Sequence, residues 1–247
     1  MKIILLRHGQ SQWNLENRFT GWKDVQLTED GKVEARQSAS SLIENNIFIN
    51  SIHTSILERA KETAKIVSTI IGFNESEIVM DWRLNERHYG ALEGLNKSET
   101  AAKYGEEQVL IWRRSYDVPP PLMNKNDERH PRNYLPFNSI STENLPEGES
   151  LKDVIERLSP FWAKFLKSLK DPSGNHLIVA HSNSLRAIIK ILENLSEEEI
   201  LDINIPTGVP LVYDLKNNFV INKKKYLIDN QLLLEKLKIV KNQGKAI

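Results

Sequence analysis

Continuous apolar runs alternate along the chain with stretches of helical periodicity. Residues 3–6 are all apolar and residues 176–180 read HLIVA, which is typical of strands buried on both faces. Further strands are predicted at 47–54, 77–80 and 209–215, of which 77–80 is short. Because these strands are separated by helical patterns, the chain predicts an α/β fold. Its central sheet is expected to be mostly parallel, with helices on both faces.

The helices are predicted from their starting signals. Thr28 precedes Glu29 and Asp30, two acidic residues that favour the first turn of a helix. Ser55 with Glu58, and Ser150 with Asp153, have the spacing of a capping box. Helices are therefore expected at 28–45, 55–71, 150–170, 183–195 and 231–241, with a short one from Ser196.

Residues 115–148 interrupt this pattern. The segment contains Pro119, Pro120, Pro121, Pro131, Pro136 and Pro146, which exclude long regular elements. Irregular segments of this length are usually functional lids or disordered. We expect one domain over 1–247, with a lid-like segment at 115–148 and a loose polar tail at 242–247.

Composition excludes several classes of function. Lys plus Arg and Asp plus Glu both number 33, which argues against a general nucleic-acid or membrane binder. The chain has no cysteine, so disulfides and thiol catalysis are excluded. The apolar run at the N-terminus is too short for a signal peptide or a membrane span. These observations predict a soluble, cytoplasmic protein.

Two histidines each follow a predicted buried strand. His8 comes after Leu6-Arg7 and His181 comes after Val179-Ala180. Ligands of open α/β sheets bind outside the carboxyl ends of the strands, so neighbouring strands would bring both rings to one crevice. A neutral imidazole is a competent nucleophile, and a second, protonated one would stabilise a transferring phosphoryl group.

Several cations point to an anion in that crevice. Arg7 is difficult to bury there without an anion, and Arg59 opposes the helix dipole in a first turn. Arg113 and Arg114 are adjacent, and a solvated helix end explains them equally well. Glu86 lies among cationic residues, either as a general acid or base or as a surface ion pair.

These residues belong to longer motifs that resemble the histidine phosphatase superfamily. Leu6-Arg7-His8-Gly9 is similar to its opening signature, and Ser55 to Thr63 is similar to its second motif. Within the superfamily, the cofactor-dependent phosphoglycerate mutases are the closest pattern, over nearly the whole chain. The most specific stretches are Trp82-Arg83-Leu84-Asn85-Glu86-Arg87-His88-Tyr89-Gly90 and Trp112-Arg113-Arg114-Ser115-Tyr116.

The resemblance implies a function and a set of site residues. It implies interconversion of 3-phosphoglycerate and 2-phosphoglycerate in glycolysis and gluconeogenesis, through phospho-His8 primed by 2,3-bisphosphoglycerate, with no metal. The catalytic group would be His8, Glu86, His181, Arg7 and Arg59. The substrate-binding group would be Ser11, Asn14, Thr20, Gly21, Arg87, Tyr89, Lys97, Arg113, Arg114, Ser182 and Asn183. A homodimer or homotetramer is expected, with small phosphoglycerates as the only other partners.

Two positions depart from the family pattern. Ser182 stands where the family usually has glycine, so it either crowds the approach to phosphate or adds a hydroxyl donor. Gln10 replaces the usual glutamate and removes one negative charge beside His8.

Three alternatives follow from the resemblance. One is a phosphatase of the same superfamily, in which water accepts the phosphoryl group. Another is the related bisphosphoglycerate mutase, although Ser11 favours the glycolytic enzyme. The third is a non-catalytic sensor of phosphorylated ligands, which Ser182 alone supports.

Overall fold

A computed structural model describes residues 1–169, 174–216 and 219–243. Six strands form one sheet in the order β3-β2-β4-β1-β5-β6. Strand β1 pairs in parallel with β4, as β2 does with β3 and β4, whereas β5 runs antiparallel to β1 and β6. The predicted mostly parallel sheet is therefore confirmed. The strands are β1 Lys2–Arg7, β2 Ser51–Thr54, β3 Val79–Met80, β4 Asn175–Ala180, β5 Leu211–Leu215 and β6 Ile221–Tyr226.

Helices cover both faces of the sheet, because successive residues of the central strand point to opposite sides. Ile3 and Leu5 of β1 pack in one apolar core, whereas Ile4 and Leu6 pack in the other. The first core includes residues from α6 and α7, and the second includes residues from α2 and α3. The helices are α1 Gln12–Leu15, α2 Glu29–Glu44, α3 Glu58–Ile71, α4 Lys97–Tyr104, α5 Glu106–Arg114, α6 Leu151–Ser168, α7 Ser182–Glu193 and α8 Asn230–Asn242.

The predicted start of α3 is wrong in an informative way. Ser55 does not cap the helix, which begins at Glu58 after an N-cap, Leu57, that has no side-chain cap bond. The Glu58 N–H instead donates to Asp24 Oδ1 at 2.7 Å. A residue distant in the sequence thus supplies the acceptor that the first turn needs.

The sequence patterns also missed several elements. Strand β6 has the sequence INKKKY, and its four central residues are exposed. Because no face of this strand is apolar, the hydrophobic pattern does not predict it. Helices α4 and α5 were not predicted. The start signals of Thr28 and Ser150 are confirmed, since each side chain accepts an N–H from the first turn of its helix.

The segment 115–148 is irregular, as predicted, and contains only short 3-10 turns at Pro131–Asn133, Phe137–Ser139 and Thr142–Asn144. Whether it acts as a lid, and whether 1–247 is one domain, stay predictions. Of the expected loose tail, 244–247 lies outside the described residues. No helix in the described ranges is both long enough and apolar enough to cross a membrane.

Candidate active site

His8 lies immediately beyond β1, in a cleft at the carboxyl ends of the parallel strands. Its Nδ1 is 2.7 Å from Gly9 O, and because a carbonyl only accepts, Nδ1 carries the proton. Nε2 is then left with a lone pair. Burial, followed by the charges of Arg59 and Arg7, holds the pKa of His8 well below its ordinary value. The free site therefore holds a neutral imidazole, the form that attacks phosphorus.

Gly9 allows this turn because the backbone comes very close to α2. A Cβ atom on Gly9 would lie 2.1 Å from Gly31 O, which no side chain tolerates. The Gly9 N–H donates to Thr63 Oγ1 at 3.2 Å. The loop that carries His8 is thus held against both α2 and α3.

His181 lies beside His8, as the two strand-end motifs predicted. Strands β1 and β4 are neighbours in register, with Arg7 opposite Ala180, and the two imidazole centroids are 4.9 Å apart. His181 Nε2 shares a 2.7 Å hydrogen bond with Ser55 Oγ, while its buried Nδ1 has no hydrogen-bond partner among the described residues. Burial, with Arg59 and His8, keeps the pKa of His181 well below its ordinary value. Without an anion the ring is neutral, not protonated.

Arg7 and Arg59 are buried cations close to the two histidines. Arg59 donates to Gly21 O at 2.9 Å and to Lys23 O at 3.0 Å. Arg7 donates to Ile205 O at 2.8 Å, and its Nε has no hydrogen-bond partner in the part of the chain that the structure describes. Burial lowers the pKa of Arg59 to about 10 and lowers that of Arg7. Since neither forms an ion pair within the described ranges, this positive charge is available to an anion.

Three further cations extend the positive cleft outward. Burial, together with Arg113 and Arg7, holds the pKa of Lys97 well below its ordinary value. Arg114 donates to Asn204 Oδ1 at 2.6 Å, and Arg113 contacts the backbone carbonyl of Gln243 beyond α8. The open cleft has a volume of 570 Å³. Its charge suits a small ligand with several negative groups.

Glu86 supplies a carboxylate on the opposite side of the cleft. Its Oε1 accepts from the Arg87 N–H at 2.8 Å, the Asn183 N–H at 3.1 Å and the Asn183 amide at 2.9 Å. The same amide donates to the Tyr89 hydroxyl at 3.3 Å. Oε2 has no hydrogen bond within the described part of the chain. One oxygen is thus held in place while the other can exchange a proton with a ligand.

The structure brings most of the sequence-predicted residues to this cleft. Those that line it are Arg7, His8, Asn14, Thr20, Arg59, Glu86, Tyr89, Lys97, Arg113, Arg114, Ser182 and Asn183. His181 is fully buried behind them.

Ser11, Gly21 and Arg87 were also predicted as ligand contacts, but they lie behind the cleft wall. Ser11 Oγ accepts from the Asn14 N–H at 3.3 Å and so fixes a lining residue. The carbonyl of Gly21 accepts from Arg59. Arg87 donates to the carbonyls of Trp112 and Arg113, both at 2.8 Å, which holds the end of α5.

Sequence reasoning missed four residues of the site. Ser55, taken as a helix cap, holds His181 instead. Arg18, Val240 and Gln243 line the cleft. Arg18 could have been predicted from the sequence, because it is a cation two residues before Thr20, a predicted ligand contact. Val240 and Gln243 carry no chemical signal, because only the path of α8 brings them here. Within the described residues, no group of three or more His, Asp or Glu is arranged to hold a metal ion.

Comparison with known proteins agrees with this arrangement. The chain is 48% identical over 244 residues to the 2,3-bisphosphoglycerate-dependent phosphoglycerate mutase of Hydrogenobaculum sp. (strain Y04AAS1), covering 99% of both chains. The solved structure of a mycobacterial hydrolase superposes with a TM-score of 0.68 at 22% identity, over 92% of this chain and 96% of that one.

A second solved structure is a mycobacterial glucosyl-3-phosphoglycerate phosphatase with VO3. It has a TM-score of 0.68 at 24% identity and covers 86% of this chain and 92% of that one. At these identities the two structures bear on the fold alone. The model of the histidine phosphatase superfamily (branch 1) matches residues 3–127 and 122–218. The chain therefore belongs to the histidine phosphatase superfamily, branch 1.

Proposed function

We propose that the protein interconverts 3-phosphoglycerate and 2-phosphoglycerate by phosphoryl transfer through His8, primed by 2,3-bisphosphoglycerate. The observation that carries this proposal is the unprotonated Nε2 of His8 among buried cations that form no ion pair with any carboxylate in the described part of the chain. The Hydrogenobaculum relative, which bears the name of such a mutase, supports the same reaction.

The cleft suits a ligand with two phosphates and a carboxylate. Arg7 Nε is buried without a partner, and the Lys97 amine makes no hydrogen bond within the described ranges. Arg7 and Arg59 would hold the transferring phosphoryl group near His8. Lys97, Arg113 and Arg114 would hold the other charged groups farther out. Bound 2,3-bisphosphoglycerate would supply the phosphoryl group that primes His8.

The transfer itself follows from the geometry of the chain's own groups. His8 Nε2 forms a bond to phosphorus as the bond between phosphorus and the ester oxygen breaks. Glu86 delivers a proton to that leaving oxygen. In the reverse direction Glu86 takes the proton of the substrate hydroxyl, whose oxygen attacks the phosphoryl group on His8. Arg7, Arg59 and His181 offset the negative charge of the transition state, so positioning and charge carry most of the catalysis.

Glu86→Gln is expected to lower kcat by about 10²-fold to 10⁴-fold. The amide still accepts the hydrogen bonds at Oε1 but exchanges no proton, so KM changes little. Steady-state kinetics with 3-phosphoglycerate measure both constants, and the exposed Glu107→Gln is the matched control. An unchanged kcat would remove Glu86 from the proton transfer.

Ser182→Gly tests the departure from the family pattern. Ser182 begins α7, lines the cleft, and does not have a positive φ, so the backbone there does not require glycine. Its hydroxyl would add one hydrogen-bond donor for an anion bound in the cleft. Because a hydrogen bond contributes about 0.5–1.5 kcal/mol, the glycine variant should bind inorganic phosphate roughly threefold to tenfold more weakly. Tighter binding by the variant would mean that Ser182 crowds the ligand.

The test of the function is a mutase assay on the full chain. Conversion of 3-phosphoglycerate to 2-phosphoglycerate is followed with and without catalytic 2,3-bisphosphoglycerate, with a chelator present throughout. We expect activity that requires the bisphosphate and ignores the chelator. Hydrolysis without transfer would assign the chain to the phosphatases, and net synthesis of the bisphosphate to the bisphosphoglycerate mutases. Binding without an acid-labile phosphohistidine would indicate a sensor.

The remaining expectations stay predictions. They are a cytoplasmic location, a homodimeric or homotetrameric state, and independence of metal, nucleic acid and membrane. Size-exclusion chromatography with light scattering measures the oligomeric state directly.

A further inference from the structure

Residues 21–23 form a short strap between the cleft and a buried carboxylate. On one side, the carbonyls of Gly21 and Lys23 accept hydrogen bonds from the two terminal nitrogens of Arg59, at 2.9 Å and 3.0 Å respectively. On the other side, Glu93 Oε2 accepts the N–H groups of Trp22 and Lys23, at 3.1 and 3.2 Å. The strap is thus gripped from opposite sides by one cation and one anion.

The same strap reaches the second half of the site. The indole Nε1 of Trp22 donates to the backbone carbonyl of Glu86 at 2.7 Å. A displacement of the strap would therefore move two things together: the carbonyls that hold Arg59, and the hydrogen bond from Trp22 to the backbone of Glu86. A displacement of about 1 Å far from the chemistry can reduce a reaction rate by ~10²-fold. The position of the strap is therefore expected to affect the rate of phosphoryl transfer.

The packing around Glu93 is close. A Cβ atom on Gly21, whose φ is +54°, would lie 2.9 Å from Glu93 Oε2. Glycine at this position is thus needed for the carboxylate to approach the strap, which accounts for Gly21 without any ligand contact. Glu93 is only 3% exposed. Burying a carboxylate is unfavourable, and its two N–H donors offset only part of that penalty.

We propose that Glu93 is a positioning residue for phosphoryl transfer, which holds the strap at 21–23 so that Arg59 keeps its place in the cleft. The proposal deepens the proposed function and rests on it in taking Arg59 as a ligand-binding cation. Glu93 does not line the cleft, so it acts on the ligand indirectly, through the strap and through Arg59.

The charge state of Glu93 makes this role sensitive to pH. Burial raises the pKa of Glu93 to about 7, while the two backbone N–H groups and the charges of Arg129 and Lys23 lower it. The carboxylate is charged above this pKa and grips the strap most strongly there, whereas protonation below it weakens the grip. A cavity of 420 Å³ between the strap and the 115–148 segment borders Glu93 and gives solvent a route to it.

Several other charged or titratable groups surround Glu93. Burial, followed by the charges of His130, Arg157 and Arg129, lowers the pKa of His88 to about 3, so its ring stays neutral. Its Nδ1 accepts the Gly90 N–H, and its Nε2 lies 3.9 Å from Glu93 Oε2. The remaining groups that face Glu93 or share its cavity are Lys23, Asp24, Arg59, Arg129 and Tyr134.

The test compares Glu93→Ala and Glu93→Gln with wild type and with the exposed control Glu99→Gln. Three quantities are measured from pH 6 to pH 8.5: the Kd of inorganic phosphate by calorimetry, and the KM and kcat for 3-phosphoglycerate by steady-state kinetics. Glu93→Ala removes the oxygen that accepts both N–H groups of the strap and should weaken phosphate binding by about tenfold at pH 8. Glu93→Gln keeps an acceptor without charge, so it should resemble wild type below pH 7 and bind more weakly above it.

The ratio of the glutamine variant's Kd to that of wild type is the decisive measurement, because the ligand's own ionisation cancels in it. We expect this ratio to rise with pH through about 7. In an Arg59→Ala background, Glu93→Ala should have little further effect on phosphate binding. A ratio near one at every pH, or effects that are fully additive with Arg59→Ala, would overturn the proposal.

This design separates the proposal from the proposed function. A wild-type protein that binds phosphate but transfers no phosphoryl group would contradict the mutase assignment. The Kd of phosphate would still report whether Glu93 positions Arg59. A lower melting temperature for Glu93→Ala, with unchanged phosphate affinity, would assign Glu93 a purely structural role and overturn the inference.

Discussion

His8→Ala is expected to abolish phosphoenzyme formation and to lower mutase activity by about 10⁴-fold or more. His8 Nε2 is the only imidazole lone pair that faces the cleft within the described residues. The neighbouring His181 has its Nε2 bonded to Ser55 and lies fully buried, so it does not substitute as nucleophile. Incubation with labelled 2,3-bisphosphoglycerate, followed by acid treatment, measures the phosphohistidine directly.

The control for His8→Ala must exclude misfolding. The exposed Gln12→Ala on the following helix should form phosphoenzyme at the wild-type level. Binding of inorganic phosphate to His8→Ala should persist, because Arg7 and Arg59 remain in place. Normal phosphoryl transfer by His8→Ala would refute the mechanism, whereas loss of phosphate binding as well would indicate that the cleft had collapsed.

Arg59→Ala is expected to lower kcat/KM by about 10²-fold to 10³-fold. Losses of this size follow when one preorganised group that stabilises a charged transition state is removed. Arg59 is 1% exposed and has no carboxylate partner among the described residues, so its charge acts on the ligand at low dielectric. Binding of 2,3-bisphosphoglycerate should weaken at the same time. Steady-state kinetics and calorimetric titration measure the two effects.

Arg59→Lys distinguishes charge from geometry. Lysine retains the charge but lacks the planar fork that donates to both Gly21 O and Lys23 O. It should therefore recover only part of the lost affinity. The exposed Arg36→Ala on α2 is the matched control for loss of one positive charge. Wild-type kinetics in Arg59→Ala would exclude Arg59 from the site.

The same arrangement predicts how ligand binding and protonation are linked. The pKa of His181 is low in the free cleft because burial and nearby cations disfavour its charged form. An anion beside His8 offsets those cations and raises that pKa. The expectation of a protonated second histidine therefore applies to the liganded site, and the neutral ring belongs to the free one.

Much of the site could be predicted because several of its residues lie next to short, recognisable sequence patterns. Apolar runs of four residues identified β1 and β4, and His8 and His181 lie within two residues of the ends of these runs. By contrast, β6 was missed because it lies at the edge of the sheet and its sequence does not alternate between apolar and polar residues. The helix cap from Asp24 was missed because its partner, Glu58, is far away in the sequence.

Ser55 shows the limit of reading spacing alone. Ser55 and Glu58 have the spacing of a capping box, and a local interpretation assigned the hydroxyl to the helix. In the fold, β2 lies next to β4, so the end of β2 brings Ser55 against His181. The hydroxyl therefore contacts the imidazole at 2.7 Å, while it accepts the N–H of Leu57 at 3.3 Å and does not cap α3.

By itself, the sequence determined the alternation of strands and helices, the two strand-end histidines, and the family to which they belong. These properties depend on hydrophobic periodicity and on motifs of adjacent residues. Only the tertiary structure decided that His8 is neutral, that Ser11, Gly21 and Arg87 lie behind the cleft, and that Glu93 grips the strap at 21–23. Burial and through-space contact set those properties, and both depend on the path of the chain between residues that are distant in sequence.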